Sequence, residues 1–217
     1  MTGSTGTEAP TLRPLLGAVM AGGRSRRFGR DKTRVEVDGV PMVLRAKAAL
    51  EAVCDQVVIV SSRPGPDSWG TVIEDLRPGT GPLAGIESAL RLAEERGAAA
   101  VFVLAADLPH VGPDVVRAVA SAVTPEAIGS ESGSGGAGET RPLAAAASRV
   151  GEPDFEPLCA IYRVECVGEV GRLLDEGERA ARALVEAVNG RKVDLTPEAA
   201  RAVSVNVNVP ADLDRRP

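Results

Sequence analysis

Leu15-Leu16-Gly17-Ala18-Val19-Met20-Ala21-Gly22-Gly23-Arg24-Ser25-Arg26-Arg27-Phe28-Gly29-Arg30-Asp31-Lys32 is the stretch whose reading decides the fold. Its first six residues form an apolar run, the pattern of a strand buried on both faces. Gly22 and Gly23 then let the backbone approach a ligand and present N–H donors with no Cβ in the way. The arginines and Lys32 that follow supply the positive charge a polyphosphate requires. The spacing is neither G-x-x-x-x-G-K-[ST] nor G-x-G-x-x-G, so neither a P-loop nor a dinucleotide fingerprint is supported. The segment reads as a phosphate cradle; the alternative is a basic, flexible strand-to-helix connection with solvated arginines.

Composition narrows what surrounds this loop. In a chain of 217 residues, 44% are hydrophobic but only 2% aromatic. The core must be aliphatic, which favours buried parallel strands covered by Ala-rich helices. A net charge of −5 argues against general affinity for nucleic acid, since the positive charge is confined to residues 24–34. Cys54, Cys159 and Cys166 have no C-x-x-C spacing, and the chain holds one histidine, His110. Reduced thiols in a cytoplasmic protein, without structural zinc, is the economical expectation. No apolar stretch approaches a membrane span. Residues 1–13 read as a disordered N-terminal tail and not a signal peptide.

Apolar runs and helical stretches alternate along residues 14–217, which read as one domain. Strands are expected at Leu15–Met20, Val57–Ser61, Thr71–Ile73, Ala99–Ala105, Leu143–Ala147, Leu158–Tyr162 and Val203–Val205. Helices are expected at Pro41–Val53 with Pro41 at the first helical position, Pro82–Arg96, Pro113–Val123, Val164–Glu176 and Arg179–Asn189. This order predicts an α/β, Rossmann-like three-layer fold: a mostly parallel central sheet with helices on both faces. A Gly/Ser-rich stretch at about 128–141 reads as a flexible surface loop; a domain boundary is the rival reading.

Ligands of open parallel sheets lie beyond the carboxyl ends of the strands, and polar motifs recur there. Ser61 and Ser62 end the second strand, Glu74-Asp75 follows the third, and Gly79-Thr80-Gly81-Pro82-Leu83-Ala84-Gly85 opens a helix. Asp107-Leu108-Pro109 follows the fourth, and Asn206-Val207-Asn208 the last. Asp107 is placed to anchor Mg²⁺, which accepts one or two carboxylates plus phosphate oxygens and water; the competing role is a turn residue. Asp75 can accept two hydrogen bonds from a guanine edge, or is a surface acid beside Arg77. The amides at the start of the Pro82 helix can face a nucleotide, or Gly81 and Gly85 merely pack that helix on the sheet. Asn206 and Asn208 alternate with valines, so on a strand both amides point to one side.

Taken together these residues resemble the molybdenum cofactor guanylyltransferase family, within the nucleotidyltransferases of Rossmann-like fold. The resemblance rests on Met20-Ala21-Gly22-Gly23 to Asp31-Lys32, Gly81 to Gly85, Asp107-Leu108-Pro109, Glu156-Pro157-Leu158 to Tyr162-Arg163, and Asn206-Val207-Asn208-Val209-Pro210, in order over residues 15 to 215. It implies Mg²⁺-dependent transfer of GMP from GTP to the phosphate of molybdopterin or molybdenum-molybdopterin, with pyrophosphate leaving. Met20, Ala21, Gly22 and Gly23 would then line the nucleotide with Ser61, Pro82, Leu83 and Gly85. Arg27 and Lys32 would hold the phosphates, Asp75 would read guanine, Asp107 would carry the metal, and Asn206 and Asn208 would face the pterin. Molybdoenzymes or their chaperones are further candidate partners. Met20 replaces the family's leucine, Phe28 its methionine, and Ser61 its common asparagine. A CTP-dependent cytidylyltransferase, another small-molecule nucleotidyltransferase, and a non-catalytic nucleotide-binding or cofactor-delivery module stay open as alternatives.

Overall fold

The computed structural model describes residues 12–22, 35–124, 141–148, 155–207 and 212. Strand β1 (Leu15–Met20) is followed by a short ladder of β2 (Glu36–Val37) and β3 (Val40–Pro41), then helix α1 (Met42–Glu51), β4 (Gln56–Ser61) and β5 (Val72–Glu74). Next come α2 (Pro82–Glu95), β6 (Ala100–Ala105), α3 (Pro113–Ser121), β7 (Ala144–Ser148) and β8 (Phe155–Arg163). The chain closes with α4 (Val167–Asp175), α5 (Ala181–Ala187), β9 (Arg191–Val193) and α6 (Pro197–Ser204). Apart from residues 12, 13 and 141, the expected N-terminal tail and Gly/Ser-rich loop lie outside the described residues.

Seven strands form one sheet in the order β5-β4-β1-β6-β8-β7-β9. β4, β5 and β6 run parallel to β1, β9 runs parallel to β7, and only β8 is antiparallel to its neighbours. This is the expected mostly parallel α/β sheet. Side chains alternate between its faces: Leu15 and Val19 of β1, and Phe102 and Leu104 of β6, pack under α1, α3 and α6. Leu16, Ala18, Val101 and Val103 pack under α2, α4 and α5. The aliphatic composition brings the layers close. A Cβ on Gly17 would stand 3.1 Å from the Leu50 Cβ, so glycine lets α1 lie against β1. Arg163 is turned inward, donating from Nη1 to the Val123 carbonyl at 3.3 Å.

Three expectations need correction. Val203–Val205 is not a strand, because Val203 and Ser204 end α6. The Thr196 hydroxyl accepts from the Ala199 amide and Pro197 occupies the first turn, a start signal that outweighs the alternating valines. Asn206 therefore lies on an irregular segment, and the strand argument for where its amide points does not hold. Pro41 closes β3 and caps α1 from outside rather than standing at its first position. The β2–β3 hairpin was also unforeseen; Asp38 and Gly39, at φ +53° and +75°, form the two-residue turn that Asp-Gly favours.

No disulfide joins Cys54, Cys159 and Cys166, and burial pushes the Cys54 and Cys166 thiols up to about 12. Among the described residues, no helix is long and apolar enough to cross a membrane.

The start of β1 is latched by Asp55, whose carboxylate accepts the Leu15 amide at 2.7 Å and the Arg13 guanidinium at 2.5 Å. Burial by itself would raise the Asp55 pKa, but these two donors outweigh it and hold it below the ordinary 3.8. A carboxylate with a depressed folded pKa contributes stability above its unfolded pKa and loses it as pH falls through the folded value. The stability advantage of the wild type over Asp55→Asn should therefore shrink as pH is lowered from neutrality to below 3.8. Urea midpoints across that range check this, and a difference independent of pH would contradict it.

Candidate active site

The chain leaves β1 toward β4 and β5, then crosses back to place β6 on the other side of β1. The carboxyl ends of β1 and β6 thus flank the topological switch point, where such sheets bind ligands. Met20 pairs with Ala105 in register. Just beyond, the Ala21 amide donates to the Val60 carbonyl at 2.9 Å and the Ala106 amide to the Met20 carbonyl at 3.2 Å. Met20 and Ala21 are consequently held on both edges up to the glycines. Gly22 is exposed, with open space where a Cβ would stand. Gly85 has a different role: a Cβ there would collide with the terminal methyl of Met20, so it makes room for that side chain.

Asp107 stands at this edge just past the end of β6 and is half-buried. Its carbonyl accepts the Val207 amide at 3.0 Å, which brings the Asn206-Val207 segment to the metal candidate. The Asn206 Oδ1 is buried and has no hydrogen-bond partner among the described residues, as a group reserved for a ligand would be. Ser61 ends β4 one residue past Val60, which pairs with the end of β1, and its hydroxyl accepts the Arg63 amide at 3.2 Å. Gly23, Arg27, Lys32 and Asn208 lie outside the described residues.

Asp75 follows β5, and its Oδ1 accepts the Arg77 amide at 3.0 Å. The turn is fastened to α2 twice. The Leu76 amide donates to the Ser88 hydroxyl at 2.9 Å, and Arg77 Nε donates to Glu87 at 2.9 Å. Glu87 is 1% exposed and also accepts Arg91 Nη2 at 2.8 Å, while Arg77 reaches on to Asp175 of α4 at 2.6 Å. The Asp175 and Glu87 carboxylates together raise the Arg77 pKa. At the start of α2, Gly81 has φ +99° and faces the Arg179 carbonyl, which also accepts the Leu83 amide at 3.3 Å. The Leu83 side chain is fully buried, so what this turn offers a ligand is backbone and Pro82.

Sequence reasoning missed Glu87. Leu83, Ile86, Glu87 and Leu90 share one helical stripe, so an acid on the apolar face of α2 was the available signal. Among the described residues no group of three or more His, Cys, Asp or Glu gathers to hold a metal. A cavity of about 270 Å³ between α5 and β9 is lined by Phe155, Arg182 and Lys192 among others, and by none of the site candidates.

Glu87→Gln should destabilise the protein by about 1–2 kcal/mol. The pair is buried on one side only, and both arginines can still reach water. Exchange of the Leu76 amide should accelerate more than that of β6. Urea denaturation and hydrogen exchange together check this; an unchanged Leu76 rate would show that Ser88 alone holds the turn.

Comparison with known proteins places the chain in a family. The MobA-like NTP transferase domain profile matches residues 17–193. The probable molybdenum cofactor guanylyltransferase of Opitutus terrae is 36% identical over 93% of this chain and 94% of its own. That of Chloroflexus aggregans is 31% identical over 94% of each. The crystal structure of molybdopterin-guanine dinucleotide biosynthesis protein A from Archaeoglobus fulgidus superposes with a TM-score of 0.63 at 24% identity, covering 91% of this chain and 94% of that one.

Proposed function

The chain belongs to the MobA-like NTP transferase family, and on that premise we propose that it transfers GMP from GTP to the phosphate of molybdopterin or its molybdenum-bearing form, releasing pyrophosphate. The observation that carries this reading is the convergence at the switch point: the end of β1, Asp107 past β6, and the Asn206-Val207 segment hydrogen-bonded to it.

The chemistry suits these residue types. A phosphate monoester has a second pKa of about 6 and is ionised at neutral pH, so its oxygen can attack the α-phosphorus without a general base. As that bond forms, the bond to the β-phosphate oxygen breaks and pyrophosphate leaves. Catalysis then reduces to alignment and charge neutralisation. In this proposal Arg27 and Lys32 grip the triphosphate, the Met20–Gly23 backbone bounds the nucleotide beside Ser61 and the Pro82–Gly85 turn, and Asp75 accepts from guanine. Asn206 and Asn208 bind the pterin; the buried Oδ1 of Asn206 supports that role. Asp107 suits Mg²⁺, since a half-buried carboxylate just past β6 can join phosphate oxygens and water in the oxygen-donor set this ion accepts. When bound there, the ion would neutralise phosphate charge. Cytoplasmic residence with reduced thiols belongs to the same proposal.

The test is pyrophosphate release from GTP and from CTP, each with Mg²⁺, with and without molybdopterin. Release from GTP only when the pterin is present is the expected result. Release from CTP alone would overturn the guanine assignment, and silence with both would overturn the acceptor. Lys32→Ala and Asp107→Ala should each lower turnover about 10²-fold or more while leaving circular dichroism and thermal midpoint unchanged. Normal turnover in either would refute the mechanism.

A further inference from the structure

Arg45, on α1, joins two segments that lie far apart in the chain. Its Nε donates to the Pro109 carbonyl at 3.0 Å and its Nη1 to the Val37 carbonyl at 3.1 Å, with the Asp38 carboxylate 3.6 Å away. Pro109 belongs to the turn that carries Asp107, and Val37 lies just downstream of the basic loop that ends in Lys32. Val35, Val37, Met42 and Val207 form a small buried cluster separate from the two main cores. The Met42 amide donates to the Val35 carbonyl at 2.9 Å, and the Val207 amide to the Asp107 carbonyl at 3.0 Å. The exit of the basic loop, the Asp107 turn and the Asn206-Val207 segment therefore meet at the first turns of one helix.

An apolar side chain would suffice if this half-buried position only filled space. What arginine adds is a rigid fork of donors that reaches two carbonyls on different segments, which a single ammonium cannot match. We infer that Arg45 is a positioning residue that fixes the Val37 segment, five residues downstream of Lys32 in sequence, relative to the turn that carries Asp107. The inference rests on the nucleotidyl-transfer reading above. Its functional weight follows from that reaction's dependence on alignment, where a displacement of about 1 Å can cost 10²-fold in rate.

The experiment compares wild type, Arg45→Met and Arg45→Lys. It uses hydrogen exchange without ligand, GTP titration calorimetry with and without Mg²⁺, and steady-state kinetics. In Arg45→Met the Val207 and Met42 amides should exchange faster, while GTP affinity without metal stays within about threefold of wild type. The gain in GTP affinity on adding Mg²⁺ should shrink about 10-fold, and kcat should fall about 10- to 100-fold with less change in KM. Arg45→Lys should lie between, because lysine restores the charge but not the fork. A full Mg²⁺ gain and full kcat in Arg45→Met would overturn the inference. So would a joint fall in thermal midpoint and metal-free affinity that Arg45→Lys restores completely, since that pattern reports packing alone. The calorimetry needs no acceptor, so it separates the two readings. A wild type that gains affinity with Mg²⁺ yet transfers nothing would sink the transfer reading and still decide the role of Arg45. A wild type with no Mg²⁺ gain would overturn both.

Discussion

Met20 and Ala21 leave β1 still hydrogen-bonded on both sides, the Ala21 amide to the Val60 carbonyl and the Met20 carbonyl to the Ala106 amide. A strand released on one edge can pivot; one held on both edges cannot. Gly22, which follows, therefore starts from a fixed point and direction. The same two bonds register β4 and β6 against β1 at the height where Ser61 and Asp107 emerge. Because the chain reverses its direction of travel across the sheet at β1, the carboxyl ends of β1 and β6 flank a topological switch point, where such sheets bind ligands.

The two helical layers divide the work of shaping that edge. On one face, α1 carries Arg45 and the Met42 cluster, which hold the Asp107 turn and the returning Asn206-Val207 segment. On the other, α2 carries Glu87 and Ser88, which hold the Asp75 turn, and Gly85, which admits Met20. Both layers lie close to the sheet because the core is built from small aliphatic residues; the run Ala144 to Ala147 in β7 is fully buried. An aromatic-rich core would set the helices further out, and side chains on their inner turns would no longer reach the strand-end loops.

Much of this was legible in the chain. The apolar runs Leu15–Met20 and Ala100–Ala105 are long and uninterrupted, so their burial on both faces followed from hydrophobicity alone. Asp107, just past the second run, then falls at the carboxyl edge of the sheet next to the end of the first. What failed was local. Val203 to Val207 alternates like a strand, yet the Thr196-Pro197 start commits the preceding residues to a helix that runs through Ser204. The Asp38-Gly39 hairpin was written in its turn residues, but each of its strands is too short for any periodicity to register. Arg45 was illegible for a different reason: its partners are main-chain carbonyls, one of them distant in sequence, and carbonyls carry no side-chain signature.

That last point bears on how such a site is built at all. Loops that meet a polyphosphate cannot be immobilised by apolar burial, since the surface they present has to be polar and open. They are held from behind by half-buried arginines: Arg45 of α1 to two carbonyls, and Arg77 of the Asp75 turn to Glu87 of α2 and Asp175 of α4. Hydrogen bonds to charged groups contribute roughly 1.5–3 kcal/mol, about twice a neutral pair, so a few of them fix a turn that has little core of its own. The cost is that each fastener is a charged group near the site, and its sign matters. Both principal fasteners are arginines whose charge is matched locally, Arg45 by Asp38 and Arg77 by Glu87 and Asp175. The proposed grip on the triphosphate is thereby left to residues 24–34, where the sequence concentrates its positive charge.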